Sequence, residues 1–295
     1  MIRELSTGHG IGELCVLFGV SRSGYYGWLR RDQRPRARAN KALGKEIERI
    51  HRESRQIYGS PRITKVLHAE GIRCGHNRVA RLMRERGLRG IQKHRYRPRT
   101  TDSRHEHPVS PNLVEELPRV GCSNQAWAAD ITYVPTKQGW THLAVVLDLG
   151  TRLIKGWSVR DSLRTGLVSE AFLRAAFTHR PPPGLIHHSD RGGQYASKEF
   201  RAILEDHKAL SSMGKTGNCY DNATVESFFA TLKTELVRGK PFSSKEAARR
   251  ALFECIEIFY NRQRLHSALG YRSPVAFETE LLATSTTPHV SAISE

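Results

Sequence analysis

"AWAADITYVPTKQGWTHLAVVLDLGTRLIKGWSVR", residues 126–160, switches the chain from a helical period to a period of two. Its first eleven residues read as a strand, and THLAVVLDLGTRLIKGWSVR reads as a hairpin that turns at LGTR. Beyond it the pattern alternates. A helix is expected over 163–177, then a strand ending at Asp190, a helix over 197–207, a short strand near 209–213 and the loop GKTGNCYDN. A long helix from about 222 to 237 follows, and EAARRALFECIEIFYNRQR supplies a last one. Three strands and then alternating helix and strand predict an α/β domain with a mixed sheet flanked by helices.

Upstream of this stretch the pattern is helical. Leu43, Ile47 and Ile50 mark one helix, and SPRITKVLHAEG (60–71) marks a second, with Ser60 as cap and Pro61 at its first position. GHNRVARLMRERG (75–87) gives a third, with Val79, Leu82 and Met83 inward and Arg78, Arg81, Arg84 and Arg86 outward. Three short helices ending in an arginine-rich one fit a helix–turn–helix reader whose last helix enters the major groove. The bland counterpart is a small bundle with a solvated face. Residues 1–30 hold two weaker helical patterns, around Leu14 and Leu17 and around Tyr25, Trp28 and Leu29, the latter capped by Ser21. RRDQRPRARAN (30–40) reads as an arginine-rich arm or linker, and residues 91–118 lose all periodicity.

Charge sharpens the division. The chain of 295 residues carries 47 Lys and Arg against 29 Asp and Glu, a net +18. Residues 1–100 hold 24 basic and 8 acidic side chains, whereas 101–295 hold 23 and 21. A basic half joined to a near-neutral half predicts a polyanion-binding module coupled to something else. No basic helix with an aromatic face suits a membrane surface, no run approaches the roughly 20 apolar residues of a membrane span, and no signal-peptide pattern opens the chain. The cysteines (15, 74, 122, 219, 255) are scattered without a C-x-x-C pair, as reduced thiols of a cytoplasmic protein would be.

The carboxylates carry the chemistry. Asp130 lies mid-strand on the face of Ala128, Thr132 and Val134, where a buried acid needs a partner or a metal. Asp190 ends a strand expected beside it, and Glu226 follows 35 intervening residues later, early in a helix. Each alone could be an ordinary ion pair or cap; together they form a D…D-x35-E set at one sheet edge. Three close carboxylates repel unless hard cations sit between them. Mg²⁺ suits such oxygens and leaves room for phosphate, with Mn²⁺ expected to substitute. Two ions about 3.5–4 Å apart serve in-line displacement at phosphorus. Gly192 and Gly193 then let a nucleic-acid backbone approach. Among the other acids, Asp148 reads as a turn residue, Asp221 as a helix cap, and Glu235 as facing away from Glu226. Lys233, seven residues after Glu226, returns to its face and is expected on a DNA phosphate. Arg78 and Arg81 are candidates for base contacts, Arg84 and Arg86 for phosphates. His187 and His188 read as strand residues rather than ligands, and His105, His107 and Cys122 are too sparse for structural zinc.

WAADITY (127–133), HHSDRGGQY (187–195), GNCYDNATVESFFATLKTEL (217–236) and YNRQRLHSALGYRSP (260–274) closely resemble the second-frame (OrfB) transposases of bacterial two-frame insertion sequences. Those enzymes are relatives of retroviral integrases with an RNase H-like DDE core. YGSPRITKVL (58–67) and RVARLMRERGL (78–88) are similar to the helix–turn–helix segment before that core. The His₂Cys₂ zinc module of retroviral integrases has no counterpart in the sequence. The resemblance implies Asp130, Asp190 and Glu226 as the catalytic, metal-binding triad, with Lys233 as the accompanying basic residue. It implies DNA as substrate, at insertion-sequence terminal inverted repeats and at target sites, cleaved by water and joined by the freed 3′-hydroxyl. An upstream first-frame product, separate or fused, is an implied partner, and a homo-oligomer on DNA is expected at the bacterial nucleoid. A stand-alone RNase H-like nuclease and an idle DNA-binding regulator are the alternatives. The expected division is a helical segment and basic arm (1–36), a helix–turn–helix domain (37–100), a linker (101–121), the RNase H-like core (122–238), a helical extension (239–282) and a disordered tail (283–295).

Overall fold

The computed structural model describes residues 1–30, 35–91, 110–115, 117, 122–214 and 223–286. The chain separates into two compact units, Met1–Ile91 and Gln92–Glu295.

The first unit is all helical: α1 (Ile2–Leu5), α2 (Ile11–Leu17), α3 (Arg22–Leu29), α4 (Pro35–Glu53), α5 (Ser60–Ala69) and α6 (His76–Glu85). Ser21 caps α3 as expected, its hydroxyl accepting from the Gly24 N–H at 3.0 Å. Leu43, Ile47 and Ile50 of α4, Ile63 and Leu67 of α5, and Val79, Leu82 and Met83 of α6 are all buried, at the helical spacing their sequence shows. Two boundaries differ from expectation. Helix α4 begins at Pro35, inside the stretch read as an arm, because proline loses no hydrogen bond in a first turn. Gly59 is the cap of α5, and the Ser60 hydroxyl instead meets His76 Nε2 at 2.9 Å.

The second unit is built on five strands: β1 (Ala126–Thr136), β2 (Gly139–Asp148), β3 (Ile154–Arg160), β4 (Ile186–Ser189) and β5 (Leu210–Met213). Their order is β3-β2-β1-β4-β5, antiparallel among the first three and parallel from β1 to β5. This is the mixed, RNase H-like sheet flanked by helices that the sequence pattern and resemblance predict. Helices α7 (Thr165–His179), α8 (Gly193–Ala196) and α9 (Lys198–Asp206) connect the later strands. Trp127 and Ala129 of β1 pack with Phe172 of α7 and Phe200 of α9. Ala128 and Val134 face the other way, against Val225 and Phe228 of α10 (Ala223–Leu232) and Leu252 of α11 (Lys245–Phe253). β1 alternates between two cores, so it is buried on both sides.

Turns and close approaches fix the frame. The fully buried Asp148 closes the β2–β3 turn, accepting from the N–H groups of Asn124 (2.7 Å), Gly150 (2.9 Å) and Thr151 (2.9 Å), the turn role its position suggests. At Gly156 an added Cβ would lie 2.3 Å from the Ala171 carbonyl oxygen, so β3 reaches α7 only through glycine. Helices α10 and α11 each run on into π-helical turns, Lys233–Val237 and Glu254–Tyr260. The last helix, α12 (Pro274–Thr286), extends four residues into the stretch expected as a tail, whose remainder, 287–295, lies outside the described residues. Of the expected linker, Ser110 to Leu113 is tied to β5, with Leu113 N–H donating to Ser212 Oγ and Met213 N–H to the Pro111 carbonyl. Among the described residues, no helix is long and apolar enough to cross a membrane.

Candidate active site

The register of the sheet brings the first two acids together. β4 runs parallel to β1, with Ser189 opposite Ala129, and ends there. The next residue on each chain is an acid, so Asp130 and Asp190 leave neighbouring strands whose backbones lie roughly 4.8 Å apart. Asp130 stays paired to Val145 on its other side, while Asp190 enters the turn, where its Oδ1 accepts from Gly192 N–H at 3.0 Å. Glu226 stands exposed in the first turn of α10, a helix docked on β1 through Val225 and Phe228.

Electrostatics show that the acids share one field. Burial, then the negative charges of Asp190 and Glu226, push the Asp130 carboxyl up to about 8, against the Ile131 N–H bond and the Lys233 ammonium. Burial pulls Lys233 below the usual lysine range, and Asp130 holds it up. Lys233 thus lies within the field of Asp130, on the helix that carries Glu226. Among the described residues, no group of three or more His, Cys, Asp or Glu side chains is gathered so as to hold a metal ion. The acids interact without closing into a cage. Asp221 and the loop through 215–222 lie outside the described residues.

The neighbours of the acids are mostly packing groups. His187 is buried among Phe172, Tyr195 and Phe200, and burial, with His188 beside it, lowers its pKa to about 3, so it is neutral. His188 Nδ1 lies 2.9 Å from Ser212 Oγ. Tyr195 was not a candidate from its spacing. Its buried hydroxyl makes no protein hydrogen bond among the described residues and stands in the field of Asp130 and Asp190, which adds to burial in raising its pKa far above a free phenol's. The only sequence signal was its place at the end of HHSDRGGQY. Glu235 lies in a buried ion pair with Arg264.

The four arginines on and just after α6 divide. Arg84 is exposed, and Arg81 is exposed beside Glu85 at 2.6 Å. Arg78 donates to Asn40 Oδ1 at 2.9 Å, and Arg86 pairs with Glu48 at 3.0 Å over Gly44, where any Cβ would strike its guanidinium. His105 and His107 lie outside the described residues, and Cys122 is exposed.

A mixed sheet presenting acids at this edge is matched by the Integrase core domain family over residues 121–219, and by a second Integrase core domain family over 208–274. An HTH-like domain family matches residues 38–96. Fold and matches together define a polynucleotidyl transferase of the integrase type. Among relatives, the chain is 44% identical to the insertion element IS600 uncharacterized 31 kDa protein of Shigella sonnei, covering 90% of this chain and 97% of that one. It is 40% identical to transposase InsF for insertion sequence IS3A of Escherichia coli K12, covering 92% and 95%. A solved structure, the HTLV-2 integrase catalytic core domain in complex with magnesium, aligns with a TM-score of 0.41 at 18% identity, covering 53% of this chain and 97% of that one. The chain belongs to the OrfB-type DDE transposases of bacterial insertion sequences.

Proposed function

We propose that Asp130, Asp190 and Glu226 are the catalytic carboxylates of this transposase and hold Mg²⁺, with Mn²⁺ able to substitute. The observation that carries this is the shared field at the end of the β1–β4 register: burial, together with Asp190 and with Glu226 from α10, raises Asp130 to about 8, a strain that a hard cation relieves. Hard carboxylate oxygens are also the donor chemistry such ions prefer. When bound, the ions supply activation of the attacking oxygen and charge neutralisation at the leaving one. The chain's own residues do the rest. β1 and β4 fix Asp130 and Asp190 on the sheet, α10 offers Glu226 from the side, and Lys233 holds a phosphate of the entering strand beside Asp130 as a flexible point charge.

Around this core the remaining assignments follow the chain. Residues 37–100, with α4 starting two residues earlier, carry the DNA-reading helix–turn–helix, with 1–36 as a helical segment and arm, 101–121 as the connection, 122–238 as the catalytic core, 239–282 as its helical extension and 283–295, whose first four residues end α12, as the tail. Arg78 and Arg81 approach bases, and Arg84 and Arg86 approach phosphates; the Asn40 and Glu48 contacts of Arg78 and Arg86 must exchange for DNA. The substrates are terminal inverted repeats and target DNA, bound by a homo-oligomer, with an upstream first-frame product as partner or fusion. The setting is the bacterial cytoplasm, at the nucleoid.

The test is cleavage and joining of labelled element ends. Asp130→Asn, Asp190→Asn and Glu226→Gln should each lose more than tenfold in both steps while binding DNA nearly as tightly, and Ca²⁺ should support binding without chemistry. A variant that keeps more than about a tenth of the wild-type rate removes that residue from the triad.

A further inference from the structure

The motif YNRQRLHSALGYRSP has no role in the chemistry above, yet the structure ties it to the helix that carries Glu226 and Lys233. Arg264 donates to Glu235 in a two-pronged ion pair, Nη2 to Oε1 at 2.6 Å and Nε to Oε2 at 2.8 Å. The Arg264 side chain is 5% exposed and that of Glu235 10%, so water screens the pair little. Its other end is equally fixed. The buried Asn261 side-chain amide accepts from the Ile154 N–H at 3.0 Å and donates to the Ile154 carbonyl at 3.1 Å, which moors the segment to the outer strand of the sheet. Tyr260 adds edge-on ring contacts to Phe228 of α10 and to His266.

The anchored point on α10 is the place where its geometry changes. The α-helix stops at Leu232, Lys233–Val237 forms a π-helical turn, and the Arg238 N–H closes it on the Lys233 carbonyl at 2.9 Å. A π turn holds an extra residue and changes the direction in which every side chain on it points. Lys233 opens that turn and Glu235 sits inside it. Glu235 is turned about 180° from Glu226 around an ideal helix, so a contact there resists rotation of the turn about its axis.

We propose that the Arg264–Glu235 pair is a positioning device for the reaction: it holds the π turn at the angle from which Lys233, the residue that opens it, reaches the DNA phosphate entering at the acids. This rests on the role given to Lys233 under the proposed function. A buried ion pair adds little net stability over apolar residues of like volume, so its presence fits a geometric duty better than a stabilising one. The pair touches no substrate and acts through Lys233.

The experiment is a mutant cycle in the full-length protein, read by strand joining on element ends and by thermal melting. The variants are Glu235→Leu with Arg264→Met, Lys233→Ala, and all three together, each in Mg²⁺. The expected result is at least a tenfold loss of joining for the apolar pair, a similar loss for Lys233→Ala, and no further loss when they are combined, with melting of the apolar pair unchanged. Losses that multiply in the combined variant would overturn the proposal, because the pair would then act independently of Lys233. Full joining by the apolar pair alongside a defective Lys233→Ala overturns the positioning role alone. Full joining by Lys233→Ala removes the lysine's role and the positioning role with it. Should the apolar pair unfold, the reversed pair Glu235→Arg with Arg264→Glu decides: it should join at least fivefold better than Glu235→Arg alone, and equal defects would overturn the proposal.

Discussion

Asp130 and Asp148 lie on adjacent strands, both are raised by burial, and their hydrogen bonds separate their roles. Asp148 accepts three backbone N–H groups and is spent on its turn; Asp130 accepts one and faces other acids instead. Removing the first should cost stability, the second activity. Asp148→Ala leaves those N–H groups without an acceptor and should lower unfolding free energy by about 3 kcal/mol in denaturant titrations. His187 supplies a pH test. Its folded pKa, about 3, lies below the unfolded value near 6.5, so the unfolded chain takes up the proton first as pH falls. Stability contributed by neutral His187 is therefore present above about pH 6.5 and lost by about 1.4 kcal/mol per unit below it. His187→Phe, which keeps a ring among Phe172 and Phe200, should be less acid-sensitive than the wild type between pH 6.5 and 4.5. Equal slopes for the two proteins would show that this histidine is not the group responsible. At this scale Asp130 was legible as a misfit, because a carboxylate between small strand residues is out of place. The coupling of Lys233 to Asp130 was not, because spacing along one helix carries no information about which strand it docks on.

Strands β1, β2 and β3 were legible for a different reason. Alternation of period two survives even where both faces are buried, since each face still selects its own residue sizes, as Trp127 and Ala128 show. The π turns after α10 and α11 were hidden: one extra residue shifts the phase of an apolar pattern too little to be seen in a single sequence. The start of α4 was masked by its arginines and proline, which read as an arm. Packing between elements is where substitutions should be felt. Gly156→Ala pushes a methyl into the backbone of α7 and should destabilise by about 2 kcal/mol, measured by denaturant unfolding. Asn261→Ala frees both polar groups of Ile154 and should cost a similar amount, about 2 kcal/mol.

For the whole molecule, the charge imbalance and the change of period both foretold two parts, and the chain does separate at residue 91. A fragment of residues 1–100 should bind element ends without the core. Its affinity should fall with salt at a log–log slope of about 0.9 for each phosphate neutralised. A slope near zero in titrations from low to high salt would remove the electrostatic role from this half. The way Asp130 meets Asp190 needed the sheet order itself, because only a parallel β1–β4 pairing with Ser189 opposite Ala129 places the two acids side by side. No local pattern encodes a register between strand residues sixty positions apart.

The central place of β1 also governs when the site comes apart. Residues 127–129 are flanked by a strand on each side and buried beneath both layers of helices, so their amides can meet solvent only when the whole sheet opens. Deuterium uptake should thus be slowest there and faster in the first turn of α10, where Glu226 is exposed. A warmed or mildly denatured transposase should then lose the helix-borne acid first. The Asp130 mount would persist in a partly opened, inactive protein, ready to be completed again on cooling.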